Sequence, residues 1–205
     1  MKLYFAPGTC SLSPQIVIGE LGLPVELVAV DNKTKRTADG RDFRAINPKG
    51  YVPALELDDG THLTEGPVIA QYLADCQPDA GFAPAAGTFE RVRVQEWLGF
   101  ISTEIHKTFS ALFNPQMPPA AQAIFRDKLA QRFAFIDRAL QERDWLVGDR
   151  FGVADGYLFT VARWAPGFDI DLKRWPALAR FMERVGRRAA VRDALATEQA
   201  AKKAA

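Results

Sequence analysis

Apolar residues change their spacing once along this chain, near Gly81, and that change limits the fold more than any other feature. Before it, strand-like runs alternate with helical ones. "KLYF" (2–5) and "VELVAV" (25–30) flank "SPQIVIGELG" (13–22), which has helical spacing and stops at Gly22. "TADGRDFRAINPKG" (37–50) is polar and leaves room for a short helix around Asp42 to Ile46. "PALEL" (53–57), the turn signal "DDG" (58–60) and "HLTE" (62–65) predict a hairpin. "GPVIAQYLADC" (66–76) follows, with Pro67 suited to a first helical turn. The order is βαβ, a loop or short helix, then ββα.

Beyond "GFAPAAG" (81–87) only the helical period survives. Phe89, Val92, Trp97, Ile101, Ile105, Phe109 and Leu112 predict one amphipathic helix over 88–113, broken by "NPQMPP" (114–119). Ile124, Phe125, Leu129, Phe133, Ile136 and Leu140 mark a second. "VADGYLFTVARWA" (153–165) is apolar nearly all round, which predicts a buried central helix. Two more helices are expected at 176–187 and 190–199, with "AAKKAA" fraying. The expected division is an α/β domain at 1–80, a linker at 81–87 and an all-helical domain at 88–205.

A chain of 205 residues with 48% hydrophobic and 25% charged residues can bury a substantial core. Its formal net charge of +1 points to neither nucleic acid nor an anionic membrane surface as partner. No apolar run approaches the roughly 20 residues of a membrane-spanning helix. Cys10 and Cys76 are too few for a disulfide framework or a zinc set, so no metal is expected. No secretory leader is seen after Met1, and the expectation is a soluble protein of the reducing cytoplasm.

Three stretches carry chemistry. In "YFAPGTCSLSP" (4–14) a strand ends in a Pro-Gly turn and leaves Cys10 at the mouth of a helix. Unpaired N–H groups and the helix dipole there favour a thiolate. A small buried hydrophobe is the other reading of Cys10. "CSLS" has Ser13 where a dithiol motif would carry its second sulfur, so no internal disulfide can close. In "NPKGYVPAL" (47–55), Pro53 enters a strand and cannot donate to the ladder. A cis Val52–Pro53 bend facing the cysteine would expose the Val52 backbone to a peptide, and an ordinary turn proline is the alternative. In "LTEGP" (63–67), Glu65 and Gly66 precede a helix whose N–H groups attract a carboxylate, though Glu65 also reads as a plain cap.

Taken in this order with "STEIHK" (102–107) and "VADGYLFTVARWA", these stretches resemble the glutathione transferases, specifically the bacterial beta class, over nearly the whole chain. The resemblance implies a thioredoxin-like N-terminal domain, a helical C-terminal domain, a homodimer and a detoxifying enzyme. Glutathione would be a co-substrate with no permanently bound cofactor, and a small hydrophobic electrophile would be the second substrate. Glutathione sulfur would lie near Cys10, with Val52 and Pro53 beside the cysteinyl part. Glu65 and Gly66 would hold the γ-glutamyl end, and Lys35 would meet a carboxylate. Thr103, Glu104 and His106 would complete the site, His106 acting with Cys10 in catalysis. Departures from the pattern are Gly99 for a common Asn, Tyr51 for Gln, Gln15 for His and Gly152 for a capping Ser or Thr. The aromatic residues Trp97, Phe100, Phe109, Phe113, Tyr157 and Trp164 read chiefly as core. Rival readings are a glutathione-dependent thiol reductase or reductive dehalogenase with Cys10 as nucleophile, and a non-enzymatic ligand-binding module.

Overall fold

A computed structural model of the protein describes residues 1–204, and its contacts divide the chain into two compact units. The first comprises Met1–Ala83 with Arg187–Ala205, the second Pro84–Gly186.

The first unit is built on a five-stranded sheet in the order β3-β2-β1-β4-β5. β1 (Lys2–Phe5) runs parallel to β2 (Glu26–Asp31) and antiparallel to β4 (Ala54–Glu56), with Tyr4 opposite Ala54. β5 (His62–Thr64) closes the expected hairpin, pairing Leu55 with Leu63. Alternation along the strands splits the core into two layers. Tyr4, Val28, Val30 and Ala54 pack with Phe43 of α2 (Phe43–Ile46), and the Tyr4 and Phe43 rings lie 5.7 Å apart. Leu3, Phe5 and Leu55 belong to the other layer. Leu12 and Ile16 of α1 (Leu12–Leu21) and Ile69 and Leu73 of α3 (Gly66–Asp75) are fully buried there.

Gly22 stops α1 in the left-handed region (φ 60°). Leu23 N–H returns to Ile18 O at 3.0 Å and Gly22 N–H to Gly19 O at 3.4 Å, the Schellman pattern for which glycine is suited. The edge strand β3 (Arg36–Thr37) had no sequence signal, because its two polar residues become a strand only by pairing with β2.

In the second unit the helix expected over 88–113 is three consecutive pieces. α4 (Phe89–Phe100), capped by Thr88 Oγ1 accepting the Arg91 N–H at 3.2 Å, passes into a π-helical segment (Ile101–His106) and then α5 (Lys107–Leu112). α6 (Pro119–Ala139) starts five residues earlier than its apolar spacing suggests, since Pro119 is a good first residue. α7 (Val153–Ala162) is buried at every position, as its all-apolar surface predicts. Asp155 holds its start, accepting N–H bonds from Gly152 and Leu146 at 2.9 Å each. Asp137 of α6 caps α8 (Pro176–Gly186), accepting the Ala177 and Leu178 amides at 2.7 and 3.0 Å.

α9 (Ala189–Ala204) packs on α1, so the contact division differs from the expected one at the C-terminus. Arg188 forks onto the Glu20 carboxylate at 2.5 and 2.7 Å. A Cβ at Gly19 would come within 3.1 Å of the Ala190 Cβ, so glycine permits the approach. The helix continues through Ala204, which includes most of the stretch expected to fray, and Ala205 lies outside the described residues.

Candidate functional site

The Cys10 loop is held on both sides by hydroxyls. Pro7 and Gly8 (φ 76°) turn the chain after β1, with Thr9 N–H on Ala6 O at 3.3 Å, the residue choice of a type II turn. Thr9 Oγ1 donates to Ala6 O at 2.8 Å and meets Ser11 Oγ at 2.8 Å. Ser11 Oγ in turn accepts the Ala6 N–H at 3.1 Å. Gln15 is buried and donates its amide to Ser11 O at 3.3 Å. Cys10 thus sits between two anchored residues, two positions ahead of α1. Its Sγ donates to Val52 O at 3.5 Å. The sulfur is deep enough that burial pushes the thiol up to about 12, and the Glu65 and Glu198 carboxylates add to the rise. Burial outweighs the helix-start field that favours a thiolate, which is opposite to the direction expected from the position alone.

The Val52–Pro53 peptide is cis. Buried Asn47 shapes the loop leading to it: Oδ1 accepts the Lys49 N–H at 3.2 Å, Nδ2 donates to Tyr51 O at 2.7 Å, and its backbone O accepts the Gly50 N–H at 2.8 Å. Gly66 lies against Pro53, where a side-chain Cβ would stand 3.5 Å from the ring. Glu65 has a positive φ of 71°, which is uncommon for a residue with a side chain and concentrates at functional sites. Its side chain does not cap α3; its Oε1 accepts from Lys49 Nζ at 2.7 Å. Lys35 also has a positive φ, 58°; its Nζ donates to Asn32 Oδ1 at 2.6 Å and stands 5.8 Å from the exposed Tyr51 ring. Burial, then Arg44, holds Lys35 below its ordinary value. Cys10, Val52, Pro53, Glu65 and Gly66 therefore form one cluster, with Lys35 beside Tyr51 at its border.

In the second unit, Thr103, Glu104 and His106 all lie on the π-helical segment, a geometry that recurs at functional sites. His106 Nδ1 is 2.7 Å from Tyr157 Oη of α7, and its ring is 5.1 Å from that of Trp164. Trp164 also meets Phe109 and Phe113 edge-on at 5.7 and 5.3 Å, making an aromatic wall of which Phe113 is exposed. Glu104 accepts from Arg132 at 2.7 Å with Lys128 at 3.5 Å, and the Arg132 hydrogen bond holds its carboxyl below the ordinary value. Thr103 Oγ1 donates to Gly99 O at 3.0 Å.

Residues 9–76 match the family described as glutathione S-transferase, N-terminal domain, and residues 100–189 the glutathione S-transferase, C-terminal domain. The chain is 44% identical to the glutathione S-transferase GstA of Escherichia coli O157:H7, over 97% of this chain and 98% of that protein. The chain belongs to the glutathione S-transferase family. Solved structures agree. A bacterial beta class transferase from Sphingomonas chungbukensis is 39% identical with a TM-score of 0.93, covering 97% of this chain and 98% of that one. A sphingomonad transferase solved in complex with glutathione is 41% identical with a TM-score of 0.94, covering 97% and 99%.

For this transferase, four supporting residues were not among the sequence candidates. Ser11 and Thr9 flank the cysteine, and hydroxyls beside a Pro-Gly turn are a local signal that was available. Asn47 and Lys49 were visible only as parts of "NPKG", since their partners are up to sixteen residues away. Cys76 is exposed at the end of α3, its Sγ on Tyr72 O at 3.4 Å.

Proposed function

We propose that this transferase binds glutathione on the Cys10–Val52–Glu65 cluster and delivers its thiolate to a small hydrophobic electrophile, with Cys10 as host and not nucleophile. The observation that carries this is the placement of the half-buried Cys10 thiol, which donates to Val52 O at 3.5 Å and which desolvation pushes up to about 12. At neutral pH such a group is a neutral S–H donor. It stabilises an incoming thiolate by a hydrogen bond and does not compete with it as an anion. The glutathione S–H loses its proton to solvent, and the sulfur lone pair forms a C–S bond as the leaving group departs with its electrons. Lowering the barrier rests on electrostatic stabilisation of the sulfur and on proximity of the two reactants.

The backbone of Val52, beside Pro53, pairs with the cysteinyl part of glutathione, Glu65 and Gly66 take its γ-glutamyl end, and Lys35 takes a carboxylate. In the helical unit the residues we propose as functional are Thr103, Glu104 and His106, with Tyr157 fixing the His106 ring. The Trp164, Phe109 and Phe113 wall is the surface for an apolar electrophile. The working form is a homodimer in the cytoplasm. Val68 and Tyr72 on α3, and Phe89 and Val92 on α4, are exposed apolar residues that a second copy would cover.

The test is Cys10→Ala assayed with glutathione and a chloro-nitroaromatic. Conjugation surviving within several-fold, with thiol transfer abolished, is the expected result. Loss of conjugation together with a glutathione adduct on the wild-type chain, seen as a mass gain, would instead make Cys10 the nucleophile of a reductase or dehalogenase. Calorimetric titration that detects no glutathione at millimolar concentration would remove both.

A further inference from the structure

The γ-glutamyl end of glutathione carries an ammonium and a carboxylate on one carbon, and the cluster around Glu65 holds a matching pair of opposite charges. Lys49 Nζ donates to Glu65 Oε1 at 2.7 Å and to Thr64 Oγ1 at 3.0 Å. Among the described residues these are two partners for an ammonium with three protons, and one donor for a carboxylate with two oxygens. Both side chains are more than half exposed, 54% for Lys49 and 64% for Glu65. An exposed pair of this kind contributes little to stability, so exchanging partners costs little.

The loops beneath the pair are defined. The Lys49 amide is fixed on Asn47 Oδ1 at 3.2 Å, and Glu65, at a positive φ of 71°, points its carboxylate at Lys49 Nζ and does not cap its own helix. The two charged ends are therefore presented side by side from separate loops on a common base.

We propose that Lys49 is a specificity-determining residue: with Glu65 it forms a two-charge clamp in which Lys49 takes the α-carboxylate and Glu65 the α-ammonium of a γ-glutamyl thiol. This rests on the glutathione reading above and adds Lys49 to it. Each charge of the ligand then meets its opposite, and the four groups alternate in sign. A ligand that has only the ammonium leaves Lys49 facing a like charge. A ligand that has only the carboxylate does the same to Glu65. The clamp thus selects a zwitterionic head group, where Glu65 alone would accept any amine.

The experiment is calorimetric titration of the full chain with glutathione and with an analogue carrying 4-aminobutyryl in place of γ-glutamyl, which lacks only the α-carboxylate. Wild type is expected to bind glutathione about tenfold more tightly than the analogue, the size of one charge-assisted hydrogen bond at a part-exposed site. In Lys49→Met that ratio should fall to about twofold, and in Lys49→Arg it should stay near the wild-type value. If Lys49→Met weakens both ligands equally and keeps the tenfold ratio, Lys49 only props Glu65 and the clamp is wrong. Equal affinity of wild type for the two ligands also overturns it. Absence of any glutathione binding by wild type would remove the underlying reading itself, a result distinct from either.

Discussion

A sulfur two residues ahead of a helix feels the positive end of the helix dipole, and a sulfur out of water loses the hydration that an anion needs. In Cys10 the second effect wins. With Cys76 replaced by Ser, alkylation of Cys10 by iodoacetamide should keep accelerating through pH 10 without a plateau, whereas a plateau near pH 7 would show a resting thiolate. The folded value is raised, so the stability this thiol contributes is complete below its unfolded value of about 8.5. It is lost as pH climbs from there toward about 12. Gly99 offers a separate test. A Cβ there meets nothing within 4 Å, and the position is exposed at the end of α4. Gly99→Ala should therefore stabilise the protein by about 0.5–1 kcal/mol, a rise of roughly 2–4 °C in Tm by calorimetry. Cys10 and Glu65 were legible at this scale because residue type and local position both spoke for them. Lys49 was not, because only its salt bridge to a residue in another loop sets it apart.

Among the elements, the 47–53 loop and the π-helical segment place most of the candidate residues, and neither has a sequence period of its own. The loop depends on one buried amide. Asn47→Ala removes its two side-chain hydrogen bonds and should cost about 2–3 kcal/mol in urea unfolding. A change under 0.5 kcal/mol would show that the loop holds without it. In the π segment, Glu104 is tied to α6 through Arg132 and Lys128. Its carboxyl lies below the ordinary value of 4.5, so its contribution is present above that pH and is lost as pH falls through the folded value. Glu104→Gln should cost no more than about 1 kcal/mol at pH 7, because the pair is part-exposed, and nothing at pH 3, as measured by thermal melts at both. Helix existence over 88–113 was readable from the spacing of Trp97, Ile101, Ile105 and Phe109. The extra residue per turn at 101–106 was not, since an amphipathic pattern with gaps of three to five residues fits an α-helix and a π-helix alike.

Across the whole chain, the last helix gives the clearest test. α9 covers α1 through the Gly19–Ala190 approach and the Arg188–Glu20 fork, although 168 residues separate the latter pair. A chain ending at Gly186 should lose cooperative unfolding of the N-terminal unit, followed by urea denaturation with circular dichroism. Gly19→Leu in the full chain should destabilise by about 1–3 kcal/mol, because the new side chain has to displace the Ala190 backbone. Full cooperativity in the truncated chain would mean that the sheet with α1, α2 and α3 suffices. Local patterns in the sequence determined the strands, nearly all the helices, the turn glycines and the cysteine at a helix mouth, since each depends on residues within one or two turns of chain. Tertiary structure decided the edge strand β3, the home of α9, the Lys49–Glu65 pair and the protonation of Cys10. Those depend on pairing partners and on exclusion of water, and both are properties of residues far apart in sequence that only folding brings together.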